Sequence, residues 1–307
     1  MEPAEIIVTL YEGHYHYGVA ALLNSLIKSG FRGLFRIGYR GKIPAWTNQL
    51  LKVKDNEFSI DEIIISFVYI DTNSHFGYHK PVFMRDTLQD FPSAKSIYYF
   101  DPDIVVIAPW GFYKAWIQSG VALCLDNCFA FVHRTHPWRA DWARLAGMST
   151  DFKTEIDYYV NSGFVGLQRL DVGVLDKWIH LTEEYRKKGG NLTLFEKEGE
   201  RAFKGDQDLL NAVISTSHDL RISLIGKEGM GFSQPAYLMS HAVNNIKPWK
   251  NFFLKNLFKK GFAPSLAEKN YFKHANSLIA PYAKNIFLVK SIDIKLASFL
   301  SRVLANN

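Results

Sequence analysis

Ile6-Ile7-Val8-Thr9-Leu10, a loop from Tyr11 to Gly18, then Val19, Leu22, Leu23, Leu26 and Ile27 at helical spacing up to Gly30, then Phe35 to Tyr39: this run decides the fold. Five apolar or β-prone residues in a row read as a buried strand, and the recurrence after them reads as a helix that Gly30 stops. A strand following so closely predicts a parallel sheet with crossover helices. Working outward, residues 63–70 give another buried strand, Pro81 to Gln89 a helix, and Ser96-Ile97-Tyr98-Tyr99-Phe100 a strand ending on Asp101-Pro102-Asp103. Val121 to Leu125, Phe164 to Leu167 and Leu220 to Ile225 read as strands. Leu170 to Lys187 and Asp206 to Ile214 read as helices, the second with acids in its first turn, where the helix dipole favours them. The expected class is α/β, with a Rossmann-like, mostly parallel sheet flanked by helices.

A chain of 307 residues suits one large domain, or one domain with a C-terminal extension. With 48% hydrophobic residues it can bury a sizeable core. The net charge of +6 suits an anionic partner, either a phosphate-bearing substrate or a membrane surface. The lysines crowd into residues 247–302 rather than spreading over a groove, and no nucleic-acid-binding motif is seen. Cys124 and Cys128 form a single C-x-x-x-C pair, a poor zinc signal. Met1 runs straight into the strand pattern without a signal stretch, and no apolar run is long enough to span a bilayer; a reducing, cytoplasmic setting is expected.

Asp101 and Asp103 stand at i and i+2, and Pro102 biases Asp101 toward extended backbone, so both carboxylates point to one face at a strand end. Like charges so close oppose each other's ionisation unless a cation sits between them, and hard oxygen ligands suit Mg²⁺ or Mn²⁺. An alternative is a strand-end turn whose acids face water. Later come Asn161-Ser162-Gly163, readable as a polar turn before a strand, and Gly205-Asp206-Gln207-Asp208, readable as ordinary helix N-terminal chemistry. Last come His241, a metal-ligand type, and Lys247-Pro248-Trp249, whose lysine suits phosphate. In open α/β sheets ligands bind beyond the carboxyl ends of strands, which is where Tyr11 to Tyr17, Asp101 to Asp103 and the His241 segment are expected.

Taken together and in this order, the motifs resemble those of the GT-A-fold glycosyltransferases, most closely the retaining family 8 group of bacterial galactosyltransferases and glycogenin, over Ile6 to Trp249. The resemblance implies a catalytic domain over 1–249 and a basic helical extension over 250–307. It implies that Asp101, Asp103 and His241 hold Mn²⁺ or Mg²⁺, with Asp101 also reaching the donor's ribose. It places Lys247 on the donor phosphates and Arg85 on the donor sugar. Asn161 and Ser162 lie beside that sugar, and Asp206, Gln207 and Asp208 line its far face. In the early strand and loop, Thr9, Glu12 and Tyr15 fall on the nucleotide, Glu12 reading the base and Tyr15 stacking on it. Three positions depart from the pattern: Asn244 stands for a usual Gly, His14 for a usual Asn, and Glu12 for a shorter acid.

The implied reaction moves a hexose from a nucleoside-diphosphate sugar, UDP-linked in the family, to a glycan or glycolipid. In the retaining family the acceptor hydroxyl attacks on the leaving-group side, the departing phosphate takes its proton, and Gln207 lies under the opposite face. Other readings stay open. An inverting enzyme would need a carboxylate base such as Asp206, Asp208 or Asp157. A pyrophosphorylase would need a Gly-rich phosphate loop, which Glu12-Gly13-His14-Tyr15 does not supply. A non-catalytic sugar-nucleotide-binding protein could use the same fold. At the C-terminus, Ile292, Leu296, Phe299, Leu300, Val303 and Leu304 form one helical stripe near Lys284, Lys290, Lys295 and Arg302. Upstream, Phe252, Phe253, Leu254, Leu257 and Phe258 alternate with Lys250, Lys255, Lys259 and Lys260. Such a segment suits the inner face of an anionic membrane, and otherwise packs on its own domain or on a second subunit.

Overall fold

The computed structural model describes residues 3–149, 154–195, 201–234 and 236–305. Its frame is a nine-stranded sheet with β1 (Glu5–Glu12) inside it. In chain order there follow α1 (His16–Ser29), β2 (Gly33–Arg40), β3 (Leu51–Lys54), β4 (Glu57–Ile60), β5 (Ile63–Tyr69), α2 (Phe76–Asp90), β6 (Ser96–Phe100), β7 (Ile104–Val106) and α3 (Trp110–Trp116). The second half adds β8 (Val121–Leu125), α4 (Pro137–Leu145), β9 (Val160–Gln168), α5 (Gly173–Lys187), α6 (Asp206–Thr216), β10 (Ile222–Ile225), β11 (Met239–His241), α7 (Phe253–Lys260), α8 (Leu266–His274) and α9 (Lys284–Ala305).

The sheet order is β10-β8-β9-β6-β1-β2-β5-β4-β3. Only β4 and β9 run against the other strands, so the sheet is mixed and mostly parallel. This is the expected α/β class, and it is compatible with a Rossmann-like fold. Alternation along β1 feeds two cores. Ile6, Val8 and Leu10 pack with Leu88 of α2, Trp142 of α4, Trp178 of α5 and Leu209 of α6. Ile7 and Tyr11 pack with Leu22 and Leu26 of α1 and with Trp110 and Tyr113 of α3. Both faces are covered, which is why β1 reads as an unbroken apolar run. By contrast β5 alternates, with Ile64 and Tyr69 exposed, so it is not buried on both faces as expected.

Three elements differ from expectation. The helix expected from Pro81 begins at Phe76, capped by His75, whose Nδ1 accepts from the Gly77 amide, so Pro81 lies inside it. Asn161-Ser162-Gly163 is not a turn: it is the first part of β9, paired with β8 at Asn161 and with Asp101 through the Gly163 carbonyl. Its polar side chains are tolerated in a buried strand because partners on other elements satisfy them. His241 ends a strand of its own, β11, whose antiparallel pairing with β7 sets it opposite Ile104 and next to Asp103.

The boundary expected at 249 is not where packing changes. Asn24 of α1 donates to the carbonyls of His274 and Ile279 at 2.7 and 2.8 Å and accepts from the Ile279 amide at 2.8 Å. Trp249, Tyr271 and Tyr282 bury against Tyr15 and Tyr17. So α8 and the segment after it belong to the body of the domain. α9 packs on α7 through Ile294 and Ala297, and its first turn reaches Phe272 and Tyr282 through Phe287.

Gly18 in α1 meets the turn that carries Asp101-Pro102-Asp103: a Cβ there would run into the Pro102 carbonyl oxygen and the Trp249 ring. Backbone cannot yield as a side chain does. Gly18→Ala is therefore expected to lower stability by about 2–3 kcal/mol, as overpacking does. Gly111, helical and with open space around its Cβ position, is the control. Gly111→Ala should be neutral or stabilising by up to about 1 kcal/mol. Urea unfolding of both variants checks this; equal midpoints would contradict the close approach at Gly18.

Candidate functional site

A cavity of about 1790 Å³ opens at the carboxyl ends of β1 and β6. The N-terminal ends of α2, α4 and α6 reach it through His75, His136 and Asp206, and their dipoles favour negative charge there. At its floor lie Asp101, Asp103 and His241, with one ligand atom from each lying within 4.8 Å of the others. Asp103 and His241 are buried and Asp101 is partly so.

The carboxylates divide their oxygens. Asp101 Oδ1 accepts from Tyr99 Oη at 2.8 Å and lies 3.1 Å from Lys80 Nζ, while Oδ2 faces His241 Nε2 at 3.8 Å. Asp103 Oδ1 lies 3.1 Å from His241 Nε2, and Oδ2 lies 2.7 Å from Lys247 Nζ. Burial opposes charge on Asp103, but His241 and Lys247 more than offset it and hold its pKa far below the usual carboxylate range. Burial likewise opposes charge on Lys247, yet Asp103 keeps its pKa above that of a free lysine. Gly163 makes room for the cluster: a Cβ there would lie 2.5 Å from His241 Cε1 and 2.9 Å from Asp101 Oδ2.

Two carboxylates and an imidazole, on rigid strand ends and separated by little more than a cation's coordination sphere, could hold a metal ion. Asp101, Asp103 and Asp206 are faced by Lys80, Lys247 and the His241 imidazole.

Lys80 is the residue that sequence reasoning missed. It is buried, lies 3.0 Å from Asp206 Oδ2, and donates to the carbonyl and Oγ of Ser162 at 3.2 Å. Burial works against its charge, but Asp101 and Asp206 overcome it and raise its pKa. Its signal was present: Phe76, Lys80, Met84 and Leu88 recur every four residues, which sets a lysine in a buried stripe. Arg85 does not share the site. Five residues on, about 140° around the helix, it points to α5 and donates to Asp176 Oδ1 at 2.7 Å.

The other expected residues fall as follows. Thr9 is wholly buried within β1 and does not line the cavity, whereas Glu12 and Tyr15 do. Glu12 is paired with Arg40 at 2.6 Å, and Tyr15 sets its ring edge against Trp249 at 5.1 Å. Asn161 donates to Asp126 Oδ2 at 2.9 Å, and Asp126 Oδ1 accepts from the amides of Cys128 and Phe129. Ser162 Oγ donates to Asp206 at 2.8 Å, and its amide donates to Gln207 Oε1 at 3.2 Å. Asp208 accepts from Tyr159 Oη at 2.6 Å and from the amides of Lys204 and Gly205. Asn244 is exposed and has a negative φ, so a glycine is not required there. Phe129, Trp138, Tyr159 and Phe195 add an aromatic wall near Asp126 and Asp208 that no spacing in the sequence announced.

No protein-family model matches the chain, and no curated protein matches it.

Burial raises the Asp208 pKa from 3.8 to about 6, against the pull of its three donors. The unfolded chain therefore releases this proton near 3.8 while the folded chain keeps it to about 6. Between those values the folded state holds more protons, so the contribution is full below the window and is lost as pH rises through it, on the order of 2–3 kcal/mol. Asp208→Asn does not titrate and can still accept from the two amides. Its melting temperature relative to the unsubstituted chain should rise by a few degrees between about pH 4 and about pH 7. A flat difference would show that Asp208 is not held protonated.

Proposed function

We propose that this chain is a metal-dependent glycosyltransferase that moves a hexose from a UDP-linked sugar to a hydroxyl of a glycan or glycolipid, with retention at the anomeric carbon. The observation that carries the reading is the junction of Asp101, Asp103 and His241 with Lys247 at one end of a large cavity whose first loop supplies Glu12 and Tyr15. Two oxygens and one imidazole nitrogen suit Mn²⁺ or Mg²⁺ and leave coordination positions for a diphosphate. Mn²⁺ or Mg²⁺ held there would supply Lewis-acid stabilisation of charge on the leaving diphosphate. Lys247 now neutralises Asp103; once a cation does so, its ammonium is free for a phosphate oxygen. Lys80 stays between Asp101 and Asp206 and fixes the angle between the metal ligands and the start of α6. Gln207, aligned by the Ser162 amide, offers its side chain to the sugar.

In the transfer, the bond from C1 to the diphosphate oxygen breaks and a bond from C1 to the acceptor oxygen forms. The acceptor's proton passes to the departing phosphate. What favours this over an inverting route is the state of the acids. Among the described residues, every acid lining the cavity is already engaged: Glu12 by Arg40, Asp101 and Asp206 by Lys80, and Asp103 by Lys247. Asp126 caps amides, Asp208 binds Tyr159, and Glu268 binds Asn251. Asp157, the remaining candidate base, is paired with Arg134 and does not line the cavity. Among the described residues every cavity carboxylate has a partner, which supports the leaving phosphate as the base.

A screen of nucleotide-sugars for Mn²⁺-dependent hydrolysis, read with product stereochemistry, tests the proposal. Asp103→Ala or excess chelator should abolish turnover. Lys247→Ala should weaken UDP binding by about 10- to 100-fold, the worth of a charged hydrogen bond. Gln207→Ala should cut turnover by about 100-fold with UDP affinity nearly unchanged. Full activity in Asp103→Ala, or equal loss of UDP affinity in the other two variants, would sink the assignment.

A further inference from the structure

Eleven lysines and arginines lie in residues 247–307 against two acids, more excess charge than the whole chain's +6, so the preceding part is net acidic. Both of those acids are used internally. Glu268 is buried and accepts from Asn251 Nδ2 and from the amide and Oγ of Ser265. Asp293 accepts from the amides of Phe253 and Leu254 at the start of α7. What this segment shows to solvent is therefore basic.

It is also apolar. α9 buries Ile294 and Ala297 against α7, yet Leu288, Ile292, Leu296, Phe299 and Val303 are 44–59% exposed. At about 100° per residue these five lie within roughly 80° of each other on the side facing away from α7, and Lys284, Lys295 and Arg302 line one edge of that face. Leu300, expected in the stripe, packs toward α7 instead, but these five residues are not the helix's contact with its own domain. On the α7-facing side of α9, Lys290 Nζ sits 5.4 Å from the ring centroid of the exposed Phe252, and Phe258 of α7 is 68% exposed. At the far end of α7, Lys260, Gly261 and Phe262 form part of the cavity's rim.

We infer that α9 docks this chain onto an anionic lipid surface, with its exposed stripe lying in the headgroup boundary and its basic edge on lipid phosphates. Helices with one apolar face, basic flanks and exposed aromatics bind in this way. No helix of the described residues is long and apolar enough to cross a membrane, so the contact is along the surface. A second copy of the chain fits less well. A face about 23 Å long and one helix wide falls far short of the ~800 Å² per partner of a stable dimer. Antiparallel pairing of the helix about a two-fold axis would also bring the same basic edges together.

Co-sedimentation of the full chain with phosphatidylcholine vesicles, with and without phosphatidylglycerol, tests the docking without reference to turnover, so its failure and that of the transferase reading are separable. Binding is expected only with phosphatidylglycerol and should vanish at high salt. Leu296→Asp with Phe299→Asp should abolish binding while circular dichroism and melting stay unchanged. Lys295→Glu with Arg302→Glu should lower affinity at least about tenfold. The inference is overturned if the chain ignores anionic vesicles at low salt, binds neutral ones equally, or binds undiminished in either double variant. It is also overturned if the lipid-free chain is a dimer that Leu296→Asp with Phe299→Asp splits.

Discussion

Asp101, Asp103 and Asp206 bring three carboxylates to the floor of one cavity, and Lys80 and Lys247 are held against them at 2.7–3.1 Å. Charges placed so deep are tolerated only when paired, and removing one partner strands the other. Much of the surrounding structure serves that pairing. α2 delivers Lys80 from a buried stripe, β9 offers Ser162 to the same ammonium, and the short β7–β11 pair sets His241 beside Asp103. Gly163 and Gly18 are small because a side chain at either would push on this cluster or on the turn that carries it. A divalent cation held by the two carboxylates and the imidazole would add positive charge here and favour a diphosphate.

The same logic separates binding from chemistry. Asp206 and Asp208 look catalytic in a linear reading, but both hold other parts of the cavity in place: Asp206 through Lys80 and Ser162, Asp208 through Tyr159 and the amides before α6. Among the described residues, the acids of this wall all have partners. Such a wall can orient a sugar and stabilise charge, which is what a reaction with its own leaving-group base requires.

What could be read from the sequence was whatever is local. The apolar run of β1, the recurrence in α1 and the Asp-Pro-Asp strand end each follow from neighbouring residues, and they appear as expected. What could not be read depends on partners far along the chain. Asn161-Ser162 resembled a turn because polar residues in a buried strand need Asp126, Lys80 and Asp206 to make sense. β7 and β11 have three residues each, too few for periodicity to show. Arg85, which the resemblance set on the donor sugar, instead pairs with Asp176, while Lys80 on the buried face of the same helix reaches the aspartates. The basic composition after Trp249 suggested a detached extension, but composition reports the outer surface. The buried contacts of Asn24 and Tyr271 tie that segment to α1.

The central claim is that Asp101, Asp103 and His241 hold a divalent cation that brings a nucleoside diphosphate to Lys247. Anomalous diffraction at the manganese edge, from crystals grown with Mn²⁺ and UDP, tests it most directly. A single strong peak should lie among the two carboxylates and the imidazole, with Lys247 moved from Asp103 onto a phosphate oxygen. A peak elsewhere, or UDP bound with Lys247 still on Asp103 and no metal among the three residues, would contradict it.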